Sequence, residues 1–311
     1  MQTEQLKRYF VHIPVSAAYN FGSVLNSHGW VDLLPNLHDA HLPSFSRIEE
    51  TPSGRVVLAA LSAQKNKEGQ SILLSIAADG KLSAGDQAWL AAAARYMLRL
   101  DEDLSEFYEH CRAAGGVWQN IDRSTGLLLR SPSLFEDMLK VICTTNIQWG
   151  GTKRMVSELV NAFGKPFLSD PTRKTFPTPA AIAQVPFDEF ARKVNLGYRA
   201  GYVHGLACQF ASGEIEPQAL QDETLATADL RKKLLAVKGI GAYAAASILM
   251  LLGRYDFIPV DSIFRQFMAE KYFGDRPFNL KEAEAFYNGW GKWKYLAYWF
   301  EMLAAESASD K

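Results

Sequence analysis

LLAVKGIGAYAAASILMLLGRYDFIPVDSIFRQF, residues 234–267, is the stretch on which the reading of the chain turns. An apolar turn, Leu234-Leu235-Ala236-Val237, runs into Lys238-Gly239-Ile240-Gly241, and an Ala-rich helix is predicted over 242–252. Two glycines one residue apart let the backbone turn sharply and approach another molecule closely. The helix that follows aims unpaired N–H groups at whatever sits there, and such an end favours an anion, phosphate above all. This is not a Walker loop: no Lys-Ser or Lys-Thr follows the second glycine, and no strand pattern precedes the first. Helix, glycine hairpin and helix instead make a clamp for a phosphodiester backbone. Beyond them, Pro259-Val260-Asp261 sets one carboxylate before a new helix starting near Ser262.

Val237-Lys238-Gly239-Ile240-Gly241, the Ala-rich helix and Pro259-Val260-Asp261 resemble the helix-hairpin-helix plus Gly/Pro-Asp signature of the base-excision DNA glycosylase superfamily. That superfamily includes 3-methyladenine, 8-oxoguanine and endonuclease III-type enzymes. The resemblance covers most of the chain and is fullest over residues 134–267. It implies that Gly239 and Gly241 present amides to a DNA phosphate within a DNA-binding hairpin formed by Val237, Lys238, Gly239, Ile240 and Gly241. It also implies a monovalent cation on the hairpin carbonyls, and Asp261 as the catalytic carboxylate.

The bulk numbers are compatible with this. A chain of 311 residues, 48% hydrophobic, is long enough for one large or two medium domains. Cys111, Cys143 and Cys208 are widely spaced, with no CxxC pair, so an intracellular chain without zinc is expected, in cytoplasm or nucleoid. The C-terminal cysteine cluster that holds an iron–sulfur centre in endonuclease III-type members is missing. No 18-residue apolar run suggests a membrane span. A net charge of −1 speaks against a nucleic-acid protein when taken alone. The charges are unevenly placed, however: Lys140, Lys153, Arg154, Lys165, Arg173 and Lys174 face only Glu158 and Asp170 over residues 140–174. Acid gathers elsewhere, as in Asp101-Glu102-Asp103. A basic face on a neutral protein suffices for phosphate contacts.

The fold class expected is α+β, an N-terminal antiparallel-sheet domain followed by an all-helical domain of the resembled type. The division is placed at 1–112 and 113–311, with the joint near residues 111–126. Strands are read at 10–15, 44–49, 54–61 and 71–76 from period-two alternation and polar turns. The period turns helical from Ser83, with apolar residues at helix spacing over Ala88 to Leu100, and Asp101-Glu102-Asp103 reads as the acidic first turn of a further helix. Ser131-Pro132 fits an N-cap with Pro at N1, and Ser133-x-x-Glu136 fits a capping box; sequence does not choose between them. That helix ends in Cys143-Thr144-Thr145-Asn146, which is similar to a Cys-Ser-Ser-Asn-type run in 8-oxoguanine glycosylases. The resemblance implies that Asn146 enters the DNA stack; a helix C-cap is its structural alternative. The match stops at Ile147-Gln148. Gly197-Tyr198-Arg199 with Tyr202 is likewise similar to a segment of the family.

A glycosylase extrudes a nucleotide and cleaves its N-glycosidic bond, and positive charge builds on the sugar. One carboxylate beside that sugar lowers the barrier. Asp261 is the candidate, although Pro-x-Asp before an apolar run is also a good helix cap. Bifunctional relatives carry a Lys two residues past the second glycine, which attacks C1′ as an amine. Here the residue is Tyr243. A phenol cannot do that chemistry, so monofunctional hydrolysis without lyase activity is expected. Tyr243, Trp149 and Tyr202 are base-pocket candidates, with Trp290 and Trp293 as further stacking residues; core packing is the alternative for each. The expected activity is excision of an alkylated purine from damaged double-stranded DNA, by a monomer. An 8-oxoguanine-type enzyme is the alternative, and a non-catalytic damaged-DNA-binding protein is the alternative of another class.

Overall fold

The computed structural model describes residues 6–39, 44–67, 69–121 and 126–309. Its elements begin with β1 (Leu6–Val15), α1 (Phe21–Leu25), β2 (Leu37–Asp39), β3 (Ser44–Glu50), β4 (Val56–Asn66), β5 (Gly69–Asp79), α2 (Ala84–Met97) and α3 (Ser105–Ala114). Then come α4 (Leu134–Thr144), α5 (Trp149–Phe163), β6 (Pro166–Phe167), β7 (Asp170–Lys174), α6 (Pro179–Ala183), α7 (Phe187–Lys193) and α8 (Ala200–Ser212). The chain closes with α9 (Pro217–Leu220), α10 (Thr227–Ala236), α11 (Ala242–Leu251), α12 (Ser262–Met268), α13 (Leu280–Ala285) and α14 (Lys294–Ser309). It forms two compact units, Met1–Asp101 with Leu127–Pro217, and Glu102–Gly126 with Gln218–Lys311. Residues 113–311 are thus shared between both units, and the sheet belongs with 127–217. Residues 122–125 of the expected joint lie outside the described residues.

In the first unit a five-stranded antiparallel sheet has the order β1-β5-β4-β3-β2. Strand β5 shows why: Ile72, Leu74, Ile76 and Ala78 are buried while Ser71, Leu73, Ser75 and Ala77 between them stay partly exposed. Strand β3 departs from this rule. Its core face carries Phe45, Arg47 and Glu49, opposite Leu61, Ala59 and Val57 of β4. A buried charge needs a partner, and α4 supplies one. Arg47 Nη2 meets Glu136 Oε2 at 2.8 Å, Lys140 Nζ meets Glu136 Oε1 at 2.7 Å, and Arg47 Nε contacts Glu49. Asn36 Oδ1 accepts from Arg47 Nη1 at 2.9 Å, and Trp30 Nε1 donates to Asp137 Oδ1 at 2.8 Å. The sheet and α4 are therefore joined by charge as well as by apolar contact.

The start of α4 is decided by Ser133, whose Oγ accepts the Glu136 N–H at 3.3 Å. The capping box is only half closed, because the Glu136 carboxylate is engaged by Arg47 and Lys140. Ser131 lies buried outside the helix, its N–H donating to Asp137. Two expectations are corrected. Asp101-Glu102-Asp103 does not form a first turn: α3 begins at Ser105, and Asp103 Oδ1 takes the Ser105 N–H from outside at 2.9 Å. Nor is everything after residue 113 helical, since β6 and β7 form a small antiparallel hairpin. Pro166 and Pro171 deny this segment a helix interior.

In the second unit α11 is the centre, with Ala244 to Leu251 all buried. A helix buried on every side needs small residues where neighbours come close, which explains its alanines. The same unit holds an aromatic cluster: Trp293 stacks on Tyr255 (5.9 Å, 25°), and Tyr255 on Tyr295 (6.4 Å, 13°). Trp293 is thus a core residue, while Trp290 packs partly exposed against Trp118 and Phe107.

Glu136→Ala would strand two buried cations, so its unfolding free energy is expected to fall by about 3 kcal/mol or more. Urea denaturation measures this; a loss below about 1 kcal/mol would mean that the cluster holds nothing together.

Candidate active site

The hairpin is a type II turn. The Ile240 N–H donates to the Val237 carbonyl at 3.1 Å, and Gly239, third of the four residues, has φ +93°. That position requires a left-handed residue. Val237 and Ile240 are buried anchors, and Lys238 between them is exposed. Gly241 is the N-cap of α11 and offers no side chain to the helix end. The first bond of the helix is Ala245 N–H to Gly241 carbonyl, so the amides of the first turn point outward. A β-carbon added at Gly241 would meet nothing within 4 Å. The space in front of this helix end is open to a ligand, and the amides there favour an anion. A cation on the hairpin fits its chemistry. The Val237 carbonyl accepts from the Ile240 N–H with one lone pair and keeps a second, and carbonyl oxygens are hard ligands.

Asp261 caps α12. Its Oδ1 accepts the Phe264 N–H at 2.8 Å. The carboxylate is partly buried, and among the described residues it forms no ion pair. Burial pushes its pKa above the usual aspartate range, opposed by the amides of Phe264, Ile263 and its own residue. The carboxylate is thus held by the amides at the start of its own helix and not by a basic side chain among the described residues. Tyr243, in the first turn of α11, is partly exposed. The buried Tyr295 phenol lies within electrostatic reach of both: burial raises its pKa well above the ordinary value, with further contributions from Tyr298, Tyr243, Asp261 and Tyr255. The hairpin, Tyr243 and Asp261 therefore belong to one unit. Sequence reasoning did not single out Tyr295, which sat unmarked within an aromatic run.

Asn146, Trp149 and Tyr202 belong to the other unit. Asn146 follows the α4 C-cap Thr145 with φ +48°, the left-handed conformation that ends many helices. Its Nδ2 donates to the Tyr198 hydroxyl at 3.3 Å, and Tyr198 meets Tyr202 edge-on at 6.1 Å. The buried Arg199 donates to the carbonyls of Thr145 and Asn146 and lies 4.4 Å from the Tyr198 ring centre. Asn146, Tyr198 and Tyr202 are thus brought together. Trp149 is committed elsewhere: its ring covers Gly29, where a β-carbon would lie 2.4 Å from it, and its Nε1 faces Asp32 Oδ2 at 3.5 Å. The clamping role of Arg199 was missed. Its signal was the glycine before Tyr198, Gly197, which has φ +58° and turns the chain there.

No protein-family model matches this chain. It is 26% identical over 167 residues to a DNA-3-methyladenine glycosylase of Bacillus subtilis, a match covering 53% of this chain and 54% of that protein. The chain thus spans about half the length of this curated relative. The 3-methyladenine DNA glycosylase of Archaeoglobus fulgidus superposes with a TM-score of 0.69 at 16% identity, over 96% of this chain and 98% of that one. The Clostridium acetobutylicum 8-oxoguanine glycosylase/lyase bound to DNA gives 0.66 at 15%, over 99% and 100%. The fold is that of the DNA glycosylases. Within this glycosylase fold no helix of the described residues is long and apolar enough to cross a membrane, and no group of three His, Cys, Asp or Glu could hold a metal ion.

The raised pKa of Asp261 has a consequence for stability. A carboxyl whose folded pKa exceeds its unfolded value contributes stability that is fully present below the unfolded pKa and is lost as pH rises through the folded pKa. Asp261→Asn keeps a cap acceptor without the charge, so at pH 7 it is expected to melt at or above the wild-type temperature. Asp261→Ala removes the cap and is expected to cost about 1 kcal/mol. Thermal melts of both variants check this; equal destabilisation would refute it.

Proposed function

We propose that the chain is a monofunctional DNA glycosylase of base excision repair, hydrolysing the N-glycosidic bond of a damaged purine extruded from duplex DNA, alkylated purines first. The observation that carries this reading is Asp261: a partly buried carboxylate held by the amides of its own helix, with no ion pair among the described residues. Such a group suits a transient positive charge better than a permanent one. The hairpin amides and Lys238 would hold the phosphate chain. Asn146, on its clamped tip, would enter the stack that the extruded nucleotide leaves. Tyr243, in the same unit as Asp261, would line the base pocket. A monovalent cation on the hairpin carbonyls would add positive charge facing the phosphate.

The reaction then needs little else. As the base departs, the sugar becomes cationic and Asp261 stabilises it. Water adds to C1′ and gives up one proton to solvent, and an abasic site remains. A purine alkylated on a ring nitrogen already carries positive charge and leaves as a neutral base, so one carboxylate suffices. Tyr243 supplies no amine, which supports hydrolysis without strand cleavage. The likeness to an 8-oxoguanine glycosylase/lyase and the Cys143-Thr144-Thr145-Asn146 run favour oxidised guanine as the second substrate reading.

The test is single-turnover cleavage of duplexes that each carry one lesion: a 3-methyladenine surrogate, hypoxanthine, ethenoadenine, uracil or 8-oxoguanine, with and without alkali. Strand breaks that require alkali are expected for an alkylated or related purine. Breaks without alkali would contradict the assignment of Tyr243, and tight binding without release would make the chain a binder of damaged DNA. The rate is also expected to fall in acid, because the carboxylate is the active form. Burial places this acid limb above the ordinary aspartate pKa of 3.8. A pH profile that is flat down to that value would exclude Asp261 as the charged group.

A further inference from the structure

Helix α12 does not end as an α-helix. Residues Ala269–Phe273 form a π-turn, closed by the Gly274 N–H donating to the Ala269 carbonyl five residues back at 2.9 Å. Such a turn holds one residue more than an α-turn, and π-turns are rare. In an α-helix each residue turns the chain by about 100° and advances it about 1.5 Å. The π-turn therefore sets how α12, and Asp261 at its start, is rotated relative to everything that follows.

Beneath this turn lies Glu301 of α14, 3% exposed. Its Oε2 accepts from the Tyr287 hydroxyl at 2.6 Å. Its Oε1 meets Lys271 Nζ at 2.9 Å and also accepts from the Tyr272 hydroxyl. Lys271 and Tyr272 are consecutive residues of the π-turn. Tyr287 also lies 3.7 Å from the sulfur of Met268, the last residue of α12. The other end of α12 rests on the same helix, with the Phe264 ring edge-on to Tyr298 at 5.0 Å.

We propose that Glu301 is a positioning residue for Asp261: by binding Lys271 and Tyr272 in π register, it fixes the rotation of α12 and so the direction of the Asp261 carboxylate. This rests on the reading of Asp261 as the carboxylate that meets the sugar. Two successive side chains of an α-turn point about 100° apart. Here the widened turn lets both reach one carboxylate. Without that carboxylate, Lys271 loses its partner, the hydroxyls of Tyr272 and Tyr287 lose their acceptor, and the turn can rewind as α-helix.

The test uses Glu301→Gln, which keeps the shape, and Lys271→Met, which removes one contact from a partly exposed residue and guards against misfolding of the first variant. Two quantities are read: the single-turnover rate on the best lesion duplex, and the affinity for a duplex carrying a cationic pyrrolidine in place of the sugar, relative to a neutral tetrahydrofuran duplex. Glu301→Gln is expected to lower the rate about tenfold or more and to remove most of the preference for the cationic duplex. Affinity for the neutral duplex is expected to change by less than about twofold, since the hairpin is untouched. Lys271→Met is expected to act in the same direction, more weakly. In an Asp261→Asn background, Glu301→Gln is expected to change the cationic preference no further. A wild-type rate and preference in Glu301→Gln, or an equal loss on both duplexes, would overturn the positioning role and leave the proposed function standing. A wild-type protein that releases no base and shows no cationic preference would instead overturn the proposed function, and this role with it.

Discussion

The carboxylate of Asp261 is held by a peptide N–H at 2.8 Å and by no ion pair among the described residues. Most of the second unit is arranged around that constraint. The cap fixes where the carboxylate sits. The buried side chains of Phe264 and Met268 fix the face of α12, the π-turn fixes its rotation, and α14 supplies the surface on which all of this rests. A charge kept partly out of water and away from cations is a cost to the fold. In the proposed reaction that same cost is the reason the group would respond to a sugar that becomes positive.

The first unit meets a different constraint by related means. Its sheet presents Arg47 and Glu49 to its own core, and Glu136 with Lys140 on α4 answers them. Buried charge of this kind adds little net stability but demands one register. It ties the helix that leads to Asn146 to the sheet, and Arg199 clamps the carbonyls of Thr145 and Asn146. The tip that carries Asn146 is thus held at both its approaches. Under the proposed function, a rigid tip suits a group that must enter a base stack without losing order.

Much of this was legible in the chain. The glycines at 239 and 241 and the carboxylate at 261 announced their local structures, because turn chemistry and capping depend on few neighbours. The strands of the sheet followed from alternation. What escaped was long-range. Nothing near Glu136 in sequence tells that Arg47 will claim its carboxylate and leave the capping box half closed. Strand β2 is three residues long and has no pattern to show. The hairpin of β6 and β7 was read as part of a helical region although its prolines argued otherwise. Trp149 looked like a pocket aromatic and is laid over Gly29, a contact no local rule contains. Glu301 drew no attention because a glutamate in a C-terminal helix is usually solvated; only the fold brings Lys271, Tyr272 and Tyr287 to it.

The most direct measurement of the central claim is equilibrium binding of the wild type and Asp261→Asn to the cationic pyrrolidine duplex, with the neutral tetrahydrofuran duplex as reference. If Asp261 stabilises a positive sugar, the wild type binds the cationic duplex about 100-fold more tightly than the neutral one, and the Asn variant loses that preference while binding the neutral duplex as before. Equal preference in both proteins would mean that Asp261 is a helix cap and nothing more.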